Sequence, residues 1–375
     1  MTQADFTSSD YEYMARALRL AKQGQYSTDP NPRVGCVITD SDGVIGEGWH
    51  VRAGEGHAEV NALQAASRDV QGATAYVTLE PCSHHGRTPP CSQALFDAGV
   101  KRVVVAMPDP NPLVSGQGIA MLQQAGVNVE TGLLMQQAEA LNPGYLKRMR
   151  DGRPWVRCKL AMSLDGRTAM ASGESKWITS AQAREDVHRL RTRSSVIMTG
   201  SGTVLSDNPS MTARCVEVEQ RSEPPLRVVI DSQLQSSPQA AIFRQPGETR
   251  VYTLADSSPK RKAVLQEAGA EVVMLPAKES RVDLHAVMHD LADLQMNEVM
   301  VEAGAGLAGA MLQAGLIDEL VIYVAPKLMG DSARGLFHLP GLEKMAQSVE
   351  LQIDDVRKVG TDWRFTVRPE YGVKN

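Results

Sequence analysis

The run Leu79-Glu80-Pro81-Cys82-Ser83-His84-His85-Gly86-Arg87-Thr88-Pro89-Pro90-Cys91, taken with His57-Ala58-Glu59 upstream, decides how the first half of this chain is read. Imidazole and thiolate are good zinc ligands. Three protein ligands leave a fourth position for water, whose pKa zinc lowers toward ~7. His57, Cys82 and Cys91 are therefore expected to hold Zn2+. Glu59 is a poor fourth ligand and a good proton shuttle between that water and a leaving amine. The pattern implies hydrolytic deamination of a heterocycle. In the usual signature two residues separate the cysteines, whereas eight do here. A structural zinc would need a fourth ligand; none is obvious, although His50, His84 and His85 are near in sequence.

Near the N-terminus, Ser9-Asp10-Tyr11-Glu12 reads as a capping box. It opens a helix with the apolar stripe Tyr11, Met14, Ala15, Leu18 and Ala21, ended by Gly24. Residues 34–38 and 44–49 read as strands about an Asp42-Gly43 turn. His57 opens a helix to about residue 67, and 73–79 is a strand. Cys91 opens a helix stopped by Gly99, then come strand 102–107, helix 117–124 and strand 127–131. A helix N-terminus favours thiolate over thiol, which suits Cys91 as a ligand. Residues 142–154, with Lys, Arg, Gly and Pro, read as a linker. Beyond it strands are expected at 155–162, 195–199, 226–231, 250–254, 271–275, 298–301 and 320–325. Helices are expected at 181–193, 259–268, 284–294 and 307–314, and a closing hairpin at 349–356 and 363–367. This alternation implies layered α/β structure.

The chain has 375 residues, more than one core usually serves, so two domains are expected. A net charge of −5 argues against a protein whose main task is gripping nucleic-acid phosphates. Five cysteines, odd in number and scattered, do not form a disulfide framework. No run of ~20 apolar residues is present and the N-terminus has no signal-like apolar stretch, so a cytoplasmic enzyme without membrane contact is expected. The edge strands of the last hairpin make a homo-oligomer plausible.

Gly304-Ala305-Gly306-Leu307-Ala308-Gly309 matches G-x-G-x-x-G between an expected strand and helix, the context the motif needs. Such glycines let backbone N–H groups approach a pyrophosphate; the plainer reading is a tight turn with close packing. A first Rossmann turn opens its domain, and this one comes late. A dihydrofolate-reductase-like fold fits that order.

On these residues the chain resembles, over essentially its whole length, the bifunctional riboflavin-biosynthesis deaminase–reductase family. Asn31-Pro32, Val34-Gly35-Cys36, His57-Ala58-Glu59 and the long insert between Cys82 and Cys91 carry the resemblance in the first half. In the second half it rests on Lys159, Ser163-Leu164-Asp165-Gly166-Arg167, Gly173-Glu174-Ser175, Trp177-Ile178-Thr179, Thr203-Val204-Leu205 and Val301-Glu302-Ala303-Gly304. Arg33 departs from the smaller or polar residue expected beside Asn31-Pro32. The resemblance implies a cytidine-deaminase-like α/β/α domain over 1–148 and a dihydrofolate-reductase-like α/β domain over 149–375. It implies zinc-dependent deamination of 2,5-diamino-6-(5-phosphoribosylamino)pyrimidin-4-one to 5-amino-6-(5-phosphoribosylamino)uracil. NADPH-dependent reduction of the ribosyl chain to ribityl would follow.

Roles follow by similarity. Asn31, His50 and His84 would contact the first substrate, with His85 and Arg87 as further cationic groups. Ala161, Trp177, Thr203, Asp207, Ser232 and the loop Gly304, Ala305, Gly306, Leu307, Ala308, Gly309, Ala310 would bind NADPH. Ser175, Arg191, Met211, Arg214 and Glu302 would bind the second substrate, Arg191 and Arg214 as a phosphate clamp. Lys159 and Asp165 are the candidates for a general acid; the plain reading of Asp165 is a turn residue bonding its own backbone. Two rival readings are a tRNA- or nucleoside-type deaminase fused to an unrelated domain, and a zinc-stabilised nucleotide-binding module without turnover. The first should show a basic groove and a short Cys-x-x-Cys. The second leaves Glu59 without a duty.

Overall fold

The computed structural model describes residues 5–83, 90–112, 114–215 and 223–372. They divide into two compact units, the first ending at Gly152 and the second beginning at Arg153.

The first unit opens with α1 (Ser8–Gln23), then β1 (Gly35–Asp40), β2 (Gly43–Trp49), α2 (Ala58–Gln64), β3 (Thr74–Val77) and α3 (Cys91–Asp97). It continues with β4 (Arg102–Val105), α4 (Gln117–Gln124), β5 (Asn128–Thr131), α5 (Met135–Leu141) and α6 (Pro143–Asp151). The sheet order is β2-β1-β3-β4-β5, with β1 antiparallel to both neighbours and β3, β4 and β5 parallel. One face is covered by α1, α5 and α6, through Met14, Ala17, Ala138, Tyr145 and Leu146. The other is covered by α2, α3 and α4, through Ala58, Ala62, Leu95 and Leu122. The unit is therefore an α/β/α sandwich. Gly48 lets α2 lie close on β2: a Cβ there would stand 2.4 Å from the Ala62 nitrogen.

Two local expectations change. The capping box is Thr7 with Asp10, not Ser9 with Glu12. Asp10 N donates to Thr7 Oγ1 at 3.2 Å and Thr7 N donates to the Asp10 carboxylate at 2.8 Å. Asp10 also accepts from Tyr76 Oη at 2.7 Å and Arg102 at 2.6 Å, so one buried carboxylate both starts α1 and ties it to the sheet. The expected linker 142–154 is mostly the helix α6. Pro143 sits in its first turn, where no N–H is needed, and Tyr145 and Leu146 bury against the core.

The second unit comprises β6 (Trp155–Ser163), β7 (Arg167–Ala169), α7 (Ala181–Arg193), β8 (Val196–Gly200), α8 (Ser201–Asp207), β9 (Leu226–Ile230), β10 (Thr249–Leu254) and α9 (Pro259–Glu267). After these come β11 (Ala270–Leu275), β12 (Ala277–Lys278), β13 (Arg281–Val282), α10 (Leu284–Asp293), β14 (Glu298–Val301) and α11 (Ala305–Gln313). It closes with β15 (Glu319–Ala325), β16 (Arg334–Gly335), β17 (Glu350–Val359) and β18 (Asp362–Glu370). The nine-stranded sheet runs β11-β10-β9-β8-β14-β6-β15-β18-β17. It is parallel from β11 to β15 and antiparallel in the last hairpin. Helices α10 and α11 pack on one face, and α7, α8 and α9 on the other. In such a sheet ligands bind outside the carboxyl ends of the strands.

Candidate active sites

In the first unit, His57 is the residue that caps α2 and Cys91 is the first residue of α3. Cys82 lies in the loop after β3. The His57 Nδ1 is 3.2 Å from Cys91 Sγ and 3.6 Å from Cys82 Sγ, and Cys91 N donates to Cys82 Sγ at 3.3 Å. Ser92 holds the Cys82 carbonyl through its N and Oγ at 3.2 and 3.0 Å. The Cys91 thiol, His57 and the N-terminus of α3 hold the Cys82 thiol below its ordinary pKa. The three donor atoms lie within 4.8 Å of one another, the single such cluster among the described residues. One imidazole and two sulfurs converging on a point, with no fourth side chain, fit a zinc ion that keeps one position open.

Glu59 is 3% exposed and does not join the cluster. Burial pushes its carboxyl up to about 7, against the pull of His57. The His50 ring meets the His57 ring edge-on, with centroids 5.5 Å apart. His50 Nδ1 pairs with the Gly56 carbonyl and Nε2 with Asn31 Nδ2, each at 3.1 Å. That pattern makes His50 the Nδ1–H tautomer, and burial lowers its pKa so that it stays neutral.

In the second unit the strand ends open on a cleft of about 1760 Å³. α11 starts at its floor with Gly304 as cap. A Cβ on Gly304 or Gly306 would meet nothing within 4 Å, so the main chain at this helix N-terminus is open to a ligand, as a pyrophosphate requires. Deeper in, Arg191 grips Glu302 with both arms of its fork, Nε to Oε1 at 2.5 Å and Nη2 to Oε2 at 2.8 Å. Burial raises the Glu302 pKa but Arg191 and Lys159 outweigh it, so the carboxylate stays ionised. Lys159 lines the same floor, and its ammonium makes no hydrogen bond or ion pair among the described residues. Burial lowers its pKa, with Glu302 opposing and Arg191 adding. At the lip the Arg184 guanidinium lies 4.5 Å over the Trp177 ring.

Comparison with known proteins agrees with both halves. Residues 7–107 match the model of the cytidine and deoxycytidylate deaminase zinc-binding region, and residues 154–365 match that of the RibD C-terminal domain. The riboflavin biosynthesis protein RibD of Escherichia coli is 52% identical over 362 residues, covering 94% of this chain and 97% of its own. The chain belongs to the RibD family. The RibD structure from Acinetobacter baumannii superposes with a TM-score of 0.88 at 44% identity, covering 97% of this chain and 99% of its own. A Thermotoga maritima structure described as a diaminohydroxyphosphoribosylaminopyrimidine deaminase/5-amino-6-(5-phosphoribosylamino)uracil reductase superposes with a TM-score of 0.84 at 30% identity, over 96% of this chain and 99% of that one. RibD proteins are bifunctional, and this chain carries both parts: a zinc-binding deaminase domain and a reductase domain of the NADPH-using type.

Against that background the expected residues fall into three groups. His57, Glu59, Cys82, Cys91, Asn31 and His50 come together in the first unit; His84, His85 and Arg87 lie outside the described residues. Ala161, Ser175, Trp177, Thr203, Asp207, Met211, Arg214, Ser232, Glu302 and the loop residues Gly304, Ala305, Gly306, Leu307 and Ala310 all line the second cleft. Ala308 and Gly309 do not. Ala308 is buried in the core, and a Cβ on Gly309 would stand 2.1 Å from the His338 carbonyl oxygen. The last glycine of the motif thus serves packing and the first two serve access.

Three further readings change. Arg191 gives its fork to Glu302 and its Nη1 to the Thr212 carbonyl at 2.9 Å, so Arg214 is the freer half of the expected clamp. Asp165 lies off the cleft and accepts from the backbone N–H groups of Met329 and Gly330 and from Ser163 Oγ, which matches its plain reading as a turn residue. Arg33 is a strut: its N–H and C=O exchange hydrogen bonds with the Asn142 side chain at 2.8 and 2.9 Å. Sequence reasoning missed Glu80, whose buried carboxylate accepts from Asp109, Gly116, Gly118 and Ile119 N–H groups at 3.0–3.2 Å. Its place two residues before Cys82, an expected metal ligand, was the available signal.

Among the described residues no helix is long and apolar enough to cross a membrane.

Proposed function

We infer that this chain performs two successive reactions on one pyrimidine ribosyl phosphate. The ring amine of 2,5-diamino-6-(5-phosphoribosylamino)pyrimidin-4-one is hydrolysed to a carbonyl in the first unit. The ribosyl chain of the product is reduced to ribityl in the second. The observation that carries this reading is Glu59, a buried carboxyl beside a three-donor cluster that it does not join.

His57, Cys82 and Cys91 would hold zinc, which when bound supplies an acidified water. Glu59 would take a proton at its carboxylate and pass it to the departing amine. Asn31 donates one N–H to His50, which leaves its other N–H and its Oδ1 for the polar edge of the pyrimidine. The His50–Gly56 bond keeps that pair in one orientation.

In the second unit Gly304 and Gly306 leave room for the pyrophosphate of NADPH, which when bound supplies the hydride. Trp177, Ala161 and Thr203 line the path beside it. Cleavage of the ribosyl C–O bond needs a proton on the ring oxygen. Lys159 is the donor available, since burial lowers its pKa and eases proton release while the nearby Glu302 charge favours its protonated form. Arg191 keeps Glu302 charged and oriented. Arg214, exposed and without a side-chain partner among the described residues, and Ser175 are suited to the phosphate.

A homo-oligomer completes the reading. Strand β17 is ten residues long and exposed along nearly its whole length, and such edges are usually covered. Five cysteines without a disulfide suit the reducing cytoplasm.

The test is to incubate the purified, zinc-loaded protein with the diaminopyrimidine ribosyl phosphate and identify products by mass. Without NADPH a single product with carbonyl in place of amine is expected, with ammonia. With NADPH a second product heavier by two hydrogens should follow. Turnover of cytidine or deoxycytidylate instead would overturn the substrate assignment.

A further inference from the structure

The cleft of the second unit continues past the glycine loop to a small hairpin whose role neither the resemblance nor the comparisons assign. Strands β12 and β13 pair Lys278 directly opposite Arg281. Directly opposed residues of an antiparallel pair share a face, and both of these side chains line the cleft. Like charges directly opposed across a ladder are unfavourable, and both of these cations are exposed toward the cleft rather than neutralised by a neighbour. Neither cation makes an ion pair or side-chain hydrogen bond among the described residues. The opposite face is anchored instead: Val282 is 3% exposed and its N–H donates to Ser232 Oγ at 3.1 Å.

Ser232 follows the end of β9. Along the sheet the order is β9-β8-β14-β6. Lys159 lies on β6, Glu302 and the glycine loop follow β14, Thr203 follows β8, and Ser232 with the hairpin lies at β9. A dinucleotide whose pyrophosphate sits at Gly304–Gly306 and whose reacting ring points toward β6 therefore extends its other nucleoside toward β9 and the hairpin. The carboxylates there are largely engaged. Asp231 accepts from Gln235 and Ser236 N–H groups at 2.9 and 2.7 Å, and Asp283 accepts from His285 N at 2.9 Å. Glu279, at the turn between the two cations, lines the same cleft and makes no ion pair among the described residues. The Asp231 and Asp283 carboxylates are thus committed to backbone N–H groups, and two cations face the single remaining Glu279. A carboxylate on the ribose 2′-hydroxyl is the device of NAD-selective sites, whereas an arginine nearby is the device that accepts a 2′-phosphate.

We propose that Lys278 and Arg281 form the 2′-phosphate pocket of the cofactor site and set the preference for NADPH over NADH. The proposal rests on the reductase reading above. Its test is direct binding of each cofactor to the zinc-loaded full chain at low ionic strength, followed by calorimetry, with Lys278→Gln, Arg281→Gln and the double variant. Each single change should weaken NADPH about tenfold, as expected for one charge-assisted contact, and leave NADH unchanged. The double variant should bind the two cofactors alike. Added salt should narrow the NADPH–NADH gap of the unaltered chain and have no such effect on the double variant. Equal weakening of both cofactors, or an unchanged gap, would overturn the assignment. Failure of the unaltered chain to bind either cofactor would instead overturn the reductase reading.

Discussion

In the first unit three ligand atoms lie within 4.8 Å of one another, set by two helix N-termini and one loop. In the second unit the corresponding residues are spread along the ends of β6, β8, β9 and β14 around a cleft of about 1760 Å³. A metal ion demands a few residue types at fixed points. An extended dinucleotide is met mainly by shape, open main chain and scattered polar groups. The compact site is therefore fragile toward single side chains, and the broad one toward changes in shape.

Removing zinc with a chelator should abolish ammonia release and lower the melting temperature of the first unit, because metal affinity is coupled to folding. NADPH affinity measured by calorimetry should not change. A parallel loss of NADPH binding would break the separation between the two sites.

The glycine loop offers the next largest effects, with opposite signatures at two positions. Gly309→Ala must push against the His338 carbonyl and should cost about 1–3 kcal/mol in urea unfolding of the second unit. Gly306→Ala meets open space and should leave stability within about 0.5 kcal/mol while raising the Kd for NADPH. The reverse pattern would mean that Gly306 faces the core and Gly309 the ligand.

Arg191→Ala leaves Glu302 without its partner, so the Glu302 pKa must rise. The acid limb of the reductase pH–rate profile should then move to higher pH, with ammonia release unaffected. A change in KM for the phosphorylated substrate with no movement of the profile would return Arg191 to the phosphate clamp.

The smallest effect is expected at Asp165. Its hydrogen bond from Ser163 and those from the Gly330 and Met329 N–H groups hold its carboxyl down to about 2. Its contribution to stability is thus present above the unfolded carboxylate pKa of ~4 and fades as pH falls toward 2. Asp165→Asn should flatten that acid dependence in thermal melts and leave reductase kcat within about twofold. A drop of a hundredfold or more would make it a catalytic residue after all.

Much of this was legible in the sequence for physical reasons. His57, Glu59, Cys82 and Cys91 are chemically constrained types, helices such as α4 and α7 follow hydrophobic periodicity, and β14 is a short, fully buried apolar run. What could not be read depends on tertiary contacts. Thr7 rather than Ser9 caps α1 because Asp10 is drawn inward by Tyr76 and Arg102. Residues 142–154 looked like a linker because charge and proline mask the buried Tyr145 and Leu146 of α6. The seven-residue α8 and the two- and three-residue strands β16 and β7 are too short to show a period. The separate duties of Gly306 and Gly309 depend on where the chain near His338 passes.

The two sites of this one chain are expected to work as chemically independent units. The most direct measurement gives zinc-loaded Glu59→Gln protein the pre-deaminated substrate with NADPH and follows NADPH oxidation, beside ammonia release from the diamino substrate. Ammonia release should fall by about 10²–10⁴ with metal content unchanged, while NADPH oxidation proceeds at the rate of the unaltered protein. Loss of both activities together, with zinc still bound, would contradict that independence.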